Sequence, residues 1–211
     1  MQRARGHRGR WLIGMTVLGL GGAYSGYASA TPATQTIVMI RHGEKPPGGL
    51  GRLDCRGSSR ADALRSALAR QFGRFDAIFA PDPGHEKKDD GVKYQYLRPL
   101  QTITPLSKAT GVPVQTQFGY KQVDRLEDAL RSPGYAAATV LVAWEHKRLV
   151  KLARNLLDHN GGDPRQVGKW PGSDFDSIYI VHITRDGGKT RASFQHGSEG
   201  LNDKLAPCPT D

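Results

Sequence analysis

The chain has 211 residues, 37% of them hydrophobic and 24% charged, with a formal net charge of +10. That length holds one domain with a full core, and that composition excludes a disordered, fibrous or collagen-like chain. The cations are scattered, with no basic helix and no basic stripe interleaved with aromatics, which argues against a nucleic-acid-binding surface.

Residues 1–30 read as a secretory leader. Arg3, Arg5, Arg8 and Arg10 form a basic start without acidic residues, Trp11 to Leu20 is apolar, and Ala28-Ser29-Ala30 is a small-x-small cleavage pattern. Gly19, Gly21, Gly22 and Gly26 make the second half a poor spanning helix, so cleavage is expected over a retained membrane anchor. No cysteine follows the cleavage point to carry a lipid. The expected product is an exported domain of residues 31–211, periplasmic or extracellular. Without the four leader arginines it carries 26 Lys+Arg against 20 Asp+Glu, a charge of +6.

Thr36 to Ile40 is an unbroken apolar run, the pattern of a strand covered on both faces. After the breaker Pro46-Pro47-Gly48-Gly49, the spacing of Ala63, Leu64, Ala67 and Leu68 predicts a helix from about Ser59 to Phe72, ended by Gly73. Phe75 to Phe79 is a short strand, and Ala80 to Tyr96 a long loop of turn residues and mixed charge. Arg98 to Thr110 is helical, with Pro105 expected to kink or restart it at Thr104. Val112 to Gln117 is a strand near a sheet edge, because it carries Pro113. Val123 to Arg131 is a short helix, Thr139 to Trp144 a second strongly apolar strand, and His146 to Leu157 a helix with an apolar stripe. Ile178 to Ile183 and Thr190 to His196 form a closing strand pair around Arg185-Asp186-Gly187-Gly188-Lys189. Strands alternating with helices predict an α/β, three-layer αβα sandwich: a mostly parallel sheet with an antiparallel edge strand.

Ligands of open α/β sheets bind beyond the carboxyl ends of the strands. Arg41 and His42 follow the first strand, Glu145 and His146 follow the fourth, and Arg98 opens the helix before the third. Two arginines offer permanently charged planar forks suited to phosphate oxygens. Of two histidines, one can be a neutral nucleophile while the other donates hydrogen bonds. Gly43 permits a sharp turn and is expected to leave its N–H free to face an anion. Such a set suits phosphoryl transfer on a small phosphorylated substrate.

The segment "RHGEKP" resembles the Arg-His-Gly signature of the histidine phosphatase superfamily, also called phosphoglycerate mutase-like. "LRPLQTITPLSKATGVPV" resembles its second arginine segment, with Arg98 and Thr102, and "TVLVAWEHKRLVKLA" the strand and helix carrying its second histidine. The resemblance runs from about Thr36 to Leu157, with a weaker echo in "FDSIYIVHI". It implies that His42 attacks phosphorus, that water hydrolyses the resulting phosphohistidine, and that Arg41, Arg98 and His146 hold the phosphoryl oxygens. It implies no cofactor and no metal, because the arginines supply the positive charge. The second ring nitrogen of His42 is then expected to donate to a fixed acceptor, such as a backbone carbonyl.

Around that set, Thr102 is expected to pack or to bond backbone, and Glu44 either to brace the arginines or to form a surface ion pair with Lys45 or another cation. The family's small residue before the second histidine is replaced by Glu145, which makes it a candidate proton donor to the leaving group; Asp124, after the third strand, is the alternative. Strand alternation alone sends Glu145 and His146 to opposite faces. The loop His85 to Asp90 reads as solvated surface that could overhang the pocket. Cys55 and Cys208 form a disulfide stapling the C-terminal tail to the first helix, or stay as two thiols. The leading expectation is an exported phosphomonoesterase. A phosphoglycerate mutase-like phosphotransferase and a catalytically weak anion-binding envelope protein are the alternatives.

Overall fold

The computed structural model describes residues 31–89, 91–205 and 208, so the leader expected over 1–30 lies outside the described residues. A six-stranded sheet has the order β5-β2-β6-β1-β7-β8, made of β1 (Ala33–Arg41), β2 (Ala77–Phe79), β5 (Val114–Gln115), β6 (Thr139–Trp144), β7 (Ser177–Asp186) and β8 (Lys189–Ser198). β1 pairs parallel with β6, β6 with β2, and β2 with β5. β7 runs antiparallel to β1, and β8 antiparallel to β7. A separate hairpin, β3 (Glu86–Asp89) and β4 (Val92–Gln95), stands off the sheet.

Alternation along the central strands sorts the core into two layers. Val38, Ile40, Leu141 and Ala143 face α1 (Cys55–Phe72) and α2 (Arg98–Thr110), against Leu64, Leu68, Ile103 and Leu106. Ile37, Met39, Val140 and Val142 face α3 (Val123–Leu130) and α4 (His146–Asp158), against Leu126, Leu149, Leu152 and Leu156. Ile37 to Ile40 are all 0% exposed, which is why β1 reads as a continuous apolar run. Each such side chain contributes about 1.5–3 kcal/mol of burial, so the strand bearing Arg41 is firmly held. No described helix is long and apolar enough to cross a membrane.

Three local expectations are corrected. α1 starts at Cys55, earlier than the apolar spacing indicates, because Asp54 caps it by accepting from the Gly57 N–H at 2.7 Å. α2 does not restart at Thr104 but continues as one helix from Arg98 to Thr110 across Pro105, its apolar face buried in the core and Gly111 ending it in the left-handed region. The region Ala80 to Tyr96 is no featureless loop but contains the β3–β4 hairpin.

Candidate active site

Two parallel strand ends lie side by side. Arg41 pairs in register with Trp144, and the His42 N–H continues the ladder by donating to the Trp144 carbonyl at 3.2 Å. The residues after β1 and β6 therefore emerge on one rim.

His42 is 2% exposed. Its Nδ1 lies 2.8 Å from the Gly43 carbonyl oxygen, an atom that can only accept, so Nδ1 carries the proton and Nε2 keeps a free lone pair. Burial, then the positive charges of Arg98 and Arg41, hold the imidazole well below its ordinary value of 6.5. A neutral ring with a fixed tautomer is the form a nucleophile needs.

Arg41 is anchored by Nη1, which donates to the carbonyls of Gly172 at 2.6 Å and Asp174 at 3.0 Å, while its guanidinium stacks on Phe175 at 3.9 Å. Arg98, 1% exposed, donates from Nη1 to the Gly49 carbonyl at 3.0 Å and to Asp89 Oδ2 at 2.7 Å. Burial opposes charge on Asp89, but the hydrogen bond and charge of Arg98 outweigh it and hold the carboxyl below its ordinary value. In both arginines Nε is buried without a partner.

The chain turns at Glu145, the extended N-cap of α4, and this overrides the alternation that would separate Glu145 from His146. Glu145 Oε2 accepts from the Arg148 N–H at 3.1 Å, and Oε1 lies 3.0 Å from His146 Nδ1, outside hydrogen-bond alignment. Burial lowers the His146 pKa against the opposing charge of Glu145. Asp124 is exposed and holds Lys151 at 2.7 Å and Asn155 at 3.4 Å. Those partners lie five and nine residues along α4 from His146, about 1.5 Å per residue, and they engage both carboxylate oxygens of Asp124.

Gly43 serves differently from expectation. Its N–H is spent on Thr102 Oγ1 at 2.9 Å, and that hydroxyl donates in turn to the Arg98 carbonyl at 2.9 Å. Its backbone φ is not positive; a side chain is excluded because a Cβ would sit 3.0 Å from Gly57 of α1. Thr102 therefore ties the two arginine segments together. Glu44 does not brace Arg41 and Arg98; it pairs with cations other than Lys45, namely Arg60 at 2.9 and 2.8 Å and Arg56 at 3.3 Å, and the pair with Arg60 is buried, not on the surface. Cys55 and Cys208 are joined as a disulfide, with Cα atoms 5.5 Å apart.

From the sequence the loop His85 to Asp90 could overhang the pocket, but the contacts of its single residues, and those of Tyr96 and Phe175, were not legible. Asp89 fixes Arg98 from the hairpin, and Lys87 of the same strand sits 5.2 Å from the Tyr96 ring and adds positive charge at both His42 and His146. Tyr96 meets the His42 ring edge-on at 5.9 Å, and Phe175 approaches it at 6.2 Å. Only an aromatic two positions before Arg98, in "YQYLR", hinted at Tyr96. Among the described residues, no group of three or more His, Cys, Asp or Glu is placed to hold a metal ion.

No protein-family model matches the chain, and no curated protein does either. Solved structures do resemble it. A mycobacterial glucosyl-3-phosphoglycerate phosphatase in complex with inorganic phosphate matches at TM-score 0.50 and 14% identity, over 76% of this chain and 95% of that one. A phosphoglycerate mutase from Plasmodium falciparum matches at 0.51 and 13%, over 85% and 96%. A structure described as mycobacterial hydrolase 1 matches at 0.51 and 14%, over 76% and 97%. At these identities the likeness shows the fold, which is phosphoglycerate mutase-like.

Proposed function

We propose that this chain is an exported phosphomonoesterase of the histidine phosphatase type, working without a metal through a phosphohistidine on His42. The observation that carries the reading is the Nδ1 contact to the Gly43 carbonyl, which leaves Nε2 free, on a ring that feels the positive charges of Arg98 and Arg41, whose Nε atoms have no partner. The fold shared with a phosphatase and a mutase is consistent with it.

In this scheme Nε2 attacks the phosphorus of a monoester, the N–P bond forms, and the bond to the leaving oxygen breaks. Arg41, Arg98 and His146 hold the nonbridging oxygens, so that their growing charge meets fixed donors. The leaving oxygen takes a proton and departs as the alcohol. Water then attacks phosphorus and the P–N bond breaks, releasing inorganic phosphate and returning neutral His42. The net change is monoester plus water to alcohol plus phosphate.

The test is turnover of an aryl and an alkyl phosphate by the mature protein, with His42→Ala as control. Wild type is expected to hydrolyse the aryl ester, and His42→Ala to lose at least about a thousandfold while keeping its circular dichroism spectrum. Undiminished turnover in His42→Ala removes the nucleophile assignment.

A second reading, a weak or inactive phosphate-binding protein, is favoured by one observation. Glu145, the carboxylate beside His146, has one oxygen committed to the helix cap, and Asp124 is committed to Lys151. Phosphate binding without turnover of either ester would select it.

A further inference from the structure

The side chain of Tyr96 is 0% exposed, and its hydroxyl is buried without a hydrogen-bond partner. Phenylalanine would fill the same volume without stranding a polar group, so the oxygen calls for an account. Tyr96 lies between β4 and α2, two residues before Arg98. Its ring is edge-on to His42 at 5.9 Å, with the Arg98 guanidinium 5.0 Å from its centre. The charges that act on it are those of Arg98, Glu145, Arg41 and Asp89.

The orphaned hydroxyl has company. Arg41 Nε, Arg98 Nε and His146 Nδ1 are also buried and partnerless, so four of the five such atoms among the described residues belong to the surround of His42. Packing failures would scatter over the molecule. Partnerless polar atoms gathered on residues around one histidine suit an acceptor-rich group, and a phosphoryl group offers acceptors on three nonbridging oxygens.

We propose that the Tyr96 hydroxyl is a neutral donor in the phosphate pocket, giving its hydrogen bond to a nonbridging oxygen of the phosphoryl group that His42 attacks. The proposal rests on the phosphatase reading and adds a substrate-contacting residue to it. Burial pushes the Tyr96 pKa far up, so the group keeps its proton throughout the working range and acts as a donor, not as an acid or base. It stabilises charge without adding a third full cation, which limits how tightly the product is retained.

Tyr96→Phe and wild type are to be compared by calorimetric titration with inorganic phosphate, by kcat/KM on an aryl phosphate, and by thermal midpoint without phosphate. The phosphate-free variant should melt at or above wild type, because it no longer buries an unpaired hydroxyl, while phosphate affinity and kcat/KM each fall about tenfold. Affinity and kcat/KM within about twofold of wild type would overturn the proposal. So would a phosphate-free midpoint several degrees lower, since the hydroxyl would then serve the fold. If wild type neither binds phosphate nor turns over the ester, the phosphatase reading falls and takes this one with it; an intact wild type beside an undiminished variant removes Tyr96 alone.

Discussion

At Glu145 two jobs compete, proton donor and helix cap. Oε2 holds the Arg148 N–H at the start of α4, and Oε1 lies 3.0 Å from His146 Nδ1; we propose that the carboxylate positions this turn and does not give up a proton. Glu145→Gln keeps an amide oxygen for the cap. It should therefore lower kcat/KM on aryl and alkyl phosphates by similar factors, about fivefold or less. A loss confined to the alkyl ester would mark Glu145 as the proton donor, because only poor leaving groups need one. Asp124→Asn should leave turnover within about twofold of wild type, since its exposed pair with Lys151 contributes little. The arginines and histidines of this rim could be read from the sequence because ordered segments carried them. For Asp89, Lys87 and Phe175 only the neighbourhood was legible, in a loop that could overhang the pocket and in the echo "FDSIYIVHI"; their individual contacts were not, because no local periodicity encodes them.

Where elements meet, one buried cluster does the joining. Arg60 of α1, 0% exposed, bonds Glu44 after β1, Asp176 before β7 and Glu199 after β8. Breaking such a cluster by removing one partner costs about 3–5 kcal/mol. Burial pushes Glu199 up to about 8, against the pull of Arg60 and with the help of Asp176 and Glu44. Its folded value thus exceeds the ordinary 4.5, so the folded chain holds a proton that the unfolded chain releases between those values. The stability from this group is complete below about pH 4.5 and is lost as pH rises through about 8. Urea midpoints at pH 5, 6.5 and 8 should therefore decline more in wild type than in Glu199→Gln, by up to about 1.4 kcal/mol per pH unit; parallel curves would refute the assignment. The elements themselves were legible where a periodic stripe or apolar run was long, as in β1, β6 and α4. The first turn of α1 was not, because its start is fixed by the Asp54 cap and by the contact of Gly57 with Gly43. The β3–β4 hairpin was also hidden, since its strand Glu86–Asp89 carries only charged residues.

Across the whole molecule, the disulfide closes a separation of 153 residues, tying the tail at Cys208 to the first residue of α1. A cross-link over so long a stretch is expected to contribute about 2–4 kcal/mol. Cys55→Ser should lower the urea midpoint accordingly, and reductant should lower wild type to the same value; no effect of reductant would mean the thiols are unpaired in solution. A stabilising disulfide also suits the proposed export to an oxidising compartment, and the secreted product should begin at Thr31 by mass. The place of β1 has a consequence of a different kind. It is inserted between β6 and β7, hydrogen-bonded along both edges and 0% exposed from Ile37 to Ile40. Amides in such a strand exchange with solvent only when the entire domain opens. The proposed nucleophile at its end is therefore kept in place on the slowest clock the protein has, and partial opening of the hairpin leaves the position of His42 untouched.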